Sequence, residues 1–268
     1  MSLWLREQGI EHDRVFLDTG WEHPATYEYL RGPLARVLGP IVEVRPPRTM
    51  EELIRHKGMF PSRVRRFCTD ELKLKPFATY LRGRQDQGDD VLVAVGVRAE
   101  ESAARSQLSE WEWQDGLDCE VWRPLLAWTE ADVIEIHRRH GLPPNSLYLQ
   151  GARRVGCWPC VMSRKDEIRL VADLDPQRID RIRELESEMT AQLKERCAAK
   201  GEAQRWPELT FFQGASASQR KETWPIDKAV AWSRTSRGGK ESVHLEVSAE
   251  RQAGCMRWGL CEATGASP

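Results

Sequence analysis

The chain has 268 residues, 40% of them apolar and 30% charged, which is enough to bury a core as one domain or as one domain with an appendage, and excludes a mainly disordered chain. Lys and Arg number 40 against 41 Asp and Glu, so the net charge of -1 excludes a histone-like protein held to nucleic acid by overall charge, and any anion site is local. No run approaches the roughly 18 apolar residues of a membrane span, and the start MSLWLREQGIEHDR lacks the apolar stretch of a signal peptide, so the expected location is cytoplasmic.

Residues 1–11 read as a short helix anchored by Leu3, Leu5 and Ile10, followed by a buried strand at Arg14–Leu17 that ends in Asp18-Thr19-Gly20. Pro24 suits the first turn of the next helix, which carries Tyr27, Leu30, Leu34 and Val37 inward until Gly39-Pro40 stops it. Ile41–Val44 is the second strand. Thr49 is placed to cap a helix through about His56, a basic loop with Arg63, Arg65 and Arg66 follows, and Thr69 is placed to cap a helix to about Leu81. Val91–Val97 is a near-continuous apolar run, the pattern of a central parallel strand covered on both faces. Another strand begins at Glu120-Val121-Trp122, and Thr129 caps a helix that ends at Gly141. The alternation up to about residue 140 predicts an α/β domain with a doubly wound parallel sheet, spanning residues 1–150. Residues 151–268 read as a helical and loop appendage that includes a long charged helix from Asp175-Pro176 to Ala199, with Ile179, Ile182, Leu185, Met189 and Leu193 on one stripe.

Ligands of such sheets bind outside the carboxyl ends of the strands. Asp18, Thr19, Gly20 and Glu22 sit there, just before a helix, where short polar side chains can hold a ribose or base edge; the plainer reading is a helix cap and turn. After the 91–97 strand come Gly96, Arg98, Glu101, Ser102 and Arg105, and the two guanidiniums suit a clamp for phosphate or sulfate, with surface ion pairs to Glu100 and Glu101 as the alternative.

Seven cysteines, an odd number, favour metal ligation or reactive thiols over a disulfide framework. RVGCWPC holds Cys157 and Cys160 at C-x2-C spacing, and CMRWGLC supplies Cys255 and Cys261, so four thiolates could close one site, with Cys68 as an alternative ligand. A [4Fe–4S] cluster, a structural Zn²⁺ and unligated thiols all remain open on this count. Cys119 and Cys197 read as structural. Eleven tryptophans enlarge the core and offer stacking surfaces without identifying a ligand.

The segments VFLDTGWEHPATYEYL, RFCTDELKLKPF, VGVRAEESAAR, RPLLAWTEADV and SLYLQGARRVGCWPC, in this order, resemble the phosphoadenosine phosphosulfate (PAPS) reductase family of the adenine nucleotide alpha hydrolase-like fold, over about residues 2–165. The resemblance implies a nucleotide at the strand ends, with Asp18, Thr19 and Glu22 near the adenosine and Gly96, Arg98 and Arg105 near its phosphates or sulfate. It also implies a cluster whose first cysteine pair falls at Phe67-Cys68 and whose second is Cys157 and Cys160, so three of four family ligands are present and Cys255 or Cys261 is recruited for the fourth. In the family a strand and a Ser-Gly-Gly-x-Asp-Ser type phosphate loop precede the first helix, whereas this sequence starts inside that helix at Met1, which a late start codon or a truncated gene would explain. Ser236–Ser242 resembles that loop but reads as a basic turn, because Val243–Val247 after it alternates like a strand. Family reductases carry a Glu-Cys-Gly-Leu-His type tail, where this chain has Gly259-Leu260-Cys261-Glu262.

The expected function is therefore binding of an adenine nucleotide or sulfonucleotide in sulfonucleotide reduction, with Cys261 as nucleophile beside Arg257 and a thiol electron donor as partner. The alternatives are an adenylating sulfurtransferase that cleaves ATP and acts on a nucleic acid acceptor, and a non-catalytic nucleotide-binding module.

Overall fold

Strands alternate with helices as expected, and side-chain caps start five of the described helices, those beginning at Pro24, Met50, Glu130, Ser146 and Pro176. The structure is a computed structural model and describes residues 1–204, 207–213, 223–236 and 258. In chain order these form α1 (Ser2–Glu7), β1 (Val15–Leu17), α2 (Pro24–Tyr29), a π-helical stretch (Leu30–Leu34) running into α3 (Ala35–Leu38), β2 (Val42–Val44), α4 (Met50–Lys57) and α5 (Phe67–Thr69). A second π-helical stretch (Asp70–Leu74) leads into α6 (Lys75–Gln85), followed by β3 (Leu92–Ala94), β4 (Trp111–Gln114), β5 (Cys119–Trp122), α7 (Glu130–Arg139), α8 (Ser146–Leu149), α9 (Lys165–Leu174), α10 (Pro176–Lys200) and α11 (Ile226–Ser233).

Thr49 and Glu52 close a capping box at the start of α4, and Thr129 and Asp132 close one at the start of α7, as the sequence predicts. Thr69 does not cap: the chain is already helical from Phe67, and Arg66 donates to the Thr69 hydroxyl at 3.3 Å. Ile10 is exposed, and α1 is anchored by Leu3 and Leu5 with Trp4 packed beside them.

The α/β class stands, with parallel pairs β1–β2 and β3–β5, but among the described residues the strands form two separate ladders, β1-β2 and β3-β5-β4. β3 is correspondingly shorter than the expected 91–97 strand and covered on one face only: Val93 is buried against α6, whereas Leu92 is 47% exposed. The antiparallel strand β4 was not anticipated from the sequence. The ladders are joined by side chains: Leu3, Ile136 and Leu142, with Trp4, Leu34 and Val37 packed against them, link α1, α3 and α7. The main core gathers Trp21, Met50, Leu53, Ile54 and Phe60 from the first part of the chain with Trp158, Ile168, Ile182, Leu185 and Phe211 from the later part. No helix among the described residues is long and apolar enough to cross a membrane.

One charged side chain sits inside this core. Glu186 of α10, 7% exposed, accepts hydrogen bonds from the backbone N–H groups of Phe211 (2.8 Å) and Ile226 (2.9 Å), pinning two later segments to the long helix. Burial pushes its carboxyl up from 4.5 to about 7, with the charges of Glu208 and Asp227 adding to the rise and the two N–H groups opposing it. Between those two values the folded protein holds a proton that the unfolded chain has released, so stability falls as pH rises, by on the order of 3 kcal/mol in full. Thermal melts of the wild type and Glu186→Gln from pH 5 to pH 8 should therefore differ in slope, the wild type losing stability as pH rises and the variant staying flatter; parallel curves would show that Glu186 does not titrate in this range.

Candidate functional site

The carboxyl end of β1 is extended by one more ladder bond, Asp18 N–H to Val44 O at 3.0 Å, before the chain turns sharply. Gly20 makes that turn at φ +67, and a Cβ there would lie 2.9 Å from Thr49 Cγ2, so both the conformation and the close approach of α4 require glycine. The Thr19 carbonyl accepts the first N–H of α4, that of Met50, at 3.0 Å.

The polar side chains of the turn serve one another. Thr19 Oγ1 donates to Glu22 Oε1 at 2.8 Å, and Trp21 N–H donates to Glu22 Oε2 at 3.1 Å. Gly20 N–H donates to Asp18 Oδ1 at 2.9 Å, and Arg45 Nε donates to Asp18 Oδ2 at 3.2 Å. The Tyr27 hydroxyl donates to both carboxylates, at 2.7 Å to Asp18 and 3.1 Å to Glu22, and burial together with these two anions pushes its phenol far above the ordinary range. Asp18, Thr19 and Glu22 are all buried, and their side chains hydrogen-bond within the turn and to Tyr27 and Arg45.

Trp21 then connects this turn to the cysteine loop. It is 0% exposed; its carbonyl accepts Trp158 N–H at 2.8 Å, and its indole Nε1 donates to Pro159 O at 2.9 Å. Glu22 and Cys157 form an antiparallel bridge beside it. One face of the indole stacks on Phe211 at 5.9 Å, and the Arg178 guanidinium lies 4.4 Å from the ring centre. The C-x2-C motif is thereby fixed against the end of β1. Cys68, at the start of the α5–α6 helix, packs against the same core as Cys157.

The charges of Cys160 and Cys68 both raise the Cys157 thiol, and that of Cys160 also raises Cys68. Burial pushes the Cys157 thiol up to about 11, and the Lys73 ammonium pulls the other way. Burial raises the Cys68 thiol too, against the Arg66 guanidinium, and Arg154 feels both Cys157 and Cys160. No group of three His, Cys, Asp or Glu among the described residues could hold a metal ion, and Cys255 and Cys261 lie outside the described residues. Among the described residues Cys68 and Cys157 pack against one core, and no set of metal ligands is assembled there.

The second expected phosphate site is differently disposed. Arg98 pairs with Glu100 and Glu101, Arg105 pairs with Glu101, and Ser102 Oγ accepts Arg105 N–H at 3.2 Å, so the guanidiniums are answered by the segment's own carboxylates. Gly96 lies beside the Met1 side chain, its nearest approach being 3.6 Å for an added Cβ. No hydrogen bond or ion pair joins residues 96–105 to the 18–22 turn among the described residues. Trp21, Tyr27 and Arg178 were not singled out as site residues in the sequence, although Trp21 falls inside the quoted segment VFLDTGWEHPATYEYL; Lys73 stands among the basic residues of RRFCTDELKLKP, whose plainer reading is a solvated basic helix.

Residues 3–163 match the family model of the phosphoadenosine phosphosulfate reductase domain. The chain belongs to this family. Within the PAPS reductase family it is similar to an uncharacterized 37.8 kDa protein of Escherichia phage 186, 30% identical over 96% of this chain and 91% of that one. It is 34% identical to the adenosine 5'-phosphosulfate reductase of Allochromatium vinosum over 36% of this chain, and 31% identical to that of Neisseria meningitidis serogroup A over 54% of it. The aligned part spans 35% and 59% of those two reductases. A solved PAPS reductase of Candida auris, a phosphate complex, superposes on 58% of this chain and 74% of its own with a TM-score of 0.43 and 23% identity.

Replacing the buried indole tests how firmly this PAPS reductase-family chain holds its cysteine loop. Trp21→Ala should cost about 3–5 kcal/mol of stability and speed alkylation of Cys157 by iodoacetamide at neutral pH. In the wild type that alkylation should be slow and rise about tenfold per pH unit toward pH 11, as thiolate forms. Fast labelling at pH 7 in the wild type would show that the thiol is not held in its neutral form.

Proposed function

We propose that the protein binds an adenosine sulfonucleotide, of the adenosine phosphosulfate or PAPS type, and reduces its sulfuryl group with thiols. The observation that carries this reading is the lock between the β1 turn and the Cys157 loop through Trp21 and the Glu22–Cys157 bridge, in a chain of this family. It sets thiols beside a strand end where a nucleotide binds in wound α/β folds. The Lys73 ammonium, whose charge acts on Cys157, suits a substrate bearing phosphate and sulfate.

The chemistry needs a thiolate that attacks the sulfuryl sulfur. A sulfur–sulfur bond forms, the sulfur–oxygen bond to phosphate breaks, and the adenylate leaves with the electron pair. A second thiol then attacks the first sulfur, releasing sulfite and leaving a disulfide, which an external dithiol donor reduces. Cys261 is the candidate nucleophile, with the Arg257 charge near it in sequence favouring the thiolate. Cys157, held neutral by burial, is poorly suited to attack unaided. The cysteines also leave room for a thiolate-held [4Fe–4S] cluster, or Zn²⁺ in its place, if ligands beyond the described residues complete the set; no step here depends on it.

Calorimetric titration with adenosine phosphosulfate, PAPS and ATP tests the reading. A sulfonucleotide should bind in the micromolar range, Lys73→Ala should weaken it by about tenfold, and sulfite should appear when a dithiol is supplied. Failure of all three nucleotides to bind would overturn it, and turnover of ATP alone would favour adenylation.

A further inference from the structure

The two segments that bring the three thiols together contain no carboxylate. Residues 60–69 carry Arg63, Arg65 and Arg66 around Cys68, and residues 151–165 carry Arg153, Arg154, Arg164 and Lys165 around Cys157 and Cys160. In a chain with net charge -1 this is a concentrated excess of one sign. Arg153 and Arg154 are answered by Asp166 and Glu167 of α9. Among the described residues Arg63, Arg65 and Arg66 have no carboxylate within ion-pair distance; Arg66 reaches the Thr69 hydroxyl, and Arg65 the Met59 sulfur at 3.6 Å.

The loop that bears these three is exposed from residue 63 to residue 66 but has a defined shape. Ser62 N–H donates to Arg65 O at 3.0 Å and Arg65 N–H donates to Ser62 Oγ at 3.1 Å, closing a turn whose base, Phe60 to Ser62, is buried. Val64 at the tip is 90% exposed. Unpaired guanidiniums on a held turn are presented to solvent without first having to break ion pairs.

We infer that the loop of residues 61–66 is a docking surface for a nucleic acid strand, engaged through its phosphates, beside the thiol site. The three guanidiniums stand on an exposed loop with Val64 at its tip, not in a closed pocket, and that form suits a strand with phosphates at regular spacing better than one small nucleotide. An acidic protein partner is disfavoured because protein interfaces are centred on aromatic and aliphatic side chains, and this loop exposes one valine among three arginines. Guanidiniums match phosphate oxygens in a bidentate fork, and phosphate contacts fix position without reading sequence. Binding is therefore expected to be sequence-tolerant and steeply salt-dependent. The inference goes beyond the sulfonucleotide reading and is tested without any sulfonucleotide present.

The experiment is fluorescence anisotropy of labelled single-stranded DNA, single-stranded RNA and duplex DNA with the full chain, between about 50 and 200 mM salt. At least one nucleic acid should bind with a dissociation constant of about 1–100 μM at the lower salt, and Arg63→Ala/Arg65→Ala/Arg66→Ala should weaken it at least tenfold and reduce the log–log salt slope by about 2–3. Arg36→Ala/Arg82→Ala/Arg138→Ala, which removes three exposed arginines elsewhere, should leave it within about twofold, and unchanged circular dichroism melts should show both variants folded. Absence of binding to all three nucleic acids, equal loss in the two triple variants, or displacement by polyglutamate as effective as by unlabelled DNA would each overturn the inference. Loss of sulfonucleotide turnover with nucleic acid binding intact would instead count against the proposed reaction.

Discussion

A single buried indole holds the centre of this molecule together. Trp21 belongs to the turn after β1, donates to the loop of Cys157 and Cys160, stacks on Phe211 from the later part of the chain, and lies under Arg178 of the long helix. Each partner comes from a different stretch of sequence, so the indole helps set the relative position of four elements, of which only the β1 turn and the cysteine loop also share a backbone bridge. A tryptophan is the side chain suited to this: its large apolar faces accept a ring on one side and a cation on the other, while its lone donor is spent on a carbonyl that would otherwise be buried unpaired. The same packing has a cost for chemistry, because the burial that fixes the loop also keeps the Cys157 thiol in its neutral form.

The local features were the legible ones. Thr49 with Glu52 and Thr129 with Asp132 announce helix starts through chemistry that lies within four residues, and Gly20 announces a turn. The stripe Ile179, Ile182, Leu185 and Met189 announces the buried face of α10. What could not be read was long-range partnership. The 91–97 run looks like a central strand from composition, yet β3 is at the edge of its ladder among the described residues, and Leu92, on the face opposite Val93, meets solvent. The β4–β5 hairpin was readable in principle, since Trp111 and Trp113 alternate with Glu112 and Gln114 ahead of an Asp115-Gly116 turn. Glu186 on the long helix gave no signal at all, because a glutamate in a charged helix is ordinary until two later backbone N–H groups are seen to end on it.

The candidate site divides in the same way. The sequence located the strand-end turn and the C-x2-C loop, and the structure joins them. It did not reveal that Asp18, Thr19 and Glu22 would be consumed in hydrogen bonds to one another, to Tyr27 and to Arg45, because short acidic and hydroxyl side chains after a strand serve a ligand or a turn equally well until their partners are known. The guanidiniums of Arg98 and Arg105 met the same fate, each answered by a glutamate within four residues. Carboxylates close in sequence to a strand-end arginine are a local signal that competes directly with any anion reading.

That competition explains why the cysteine-bearing segments stand apart electrostatically. Over most of the chain, arginines face carboxylates a few residues or one helix away, as in Arg55 with Glu51 and Glu188, Arg181 with Glu51 and Glu184, and Arg183 with Asp180 and Asp227. Near the thiols, residues 60–69 hold three arginines without acids, and Lys73 faces Cys157. Around the thiols the carboxylates are thinned, not absent: Glu22 bridges to Cys157 and Arg153 and Arg154 are paired with Asp166 and Glu167, whereas Arg63, Arg65 and Arg66 have no carboxylate within ion-pair distance among the described residues. Ion pairs thus tie helices together over most of the fold, while the turn of residues 62–65 is held by its own backbone and by Ser62.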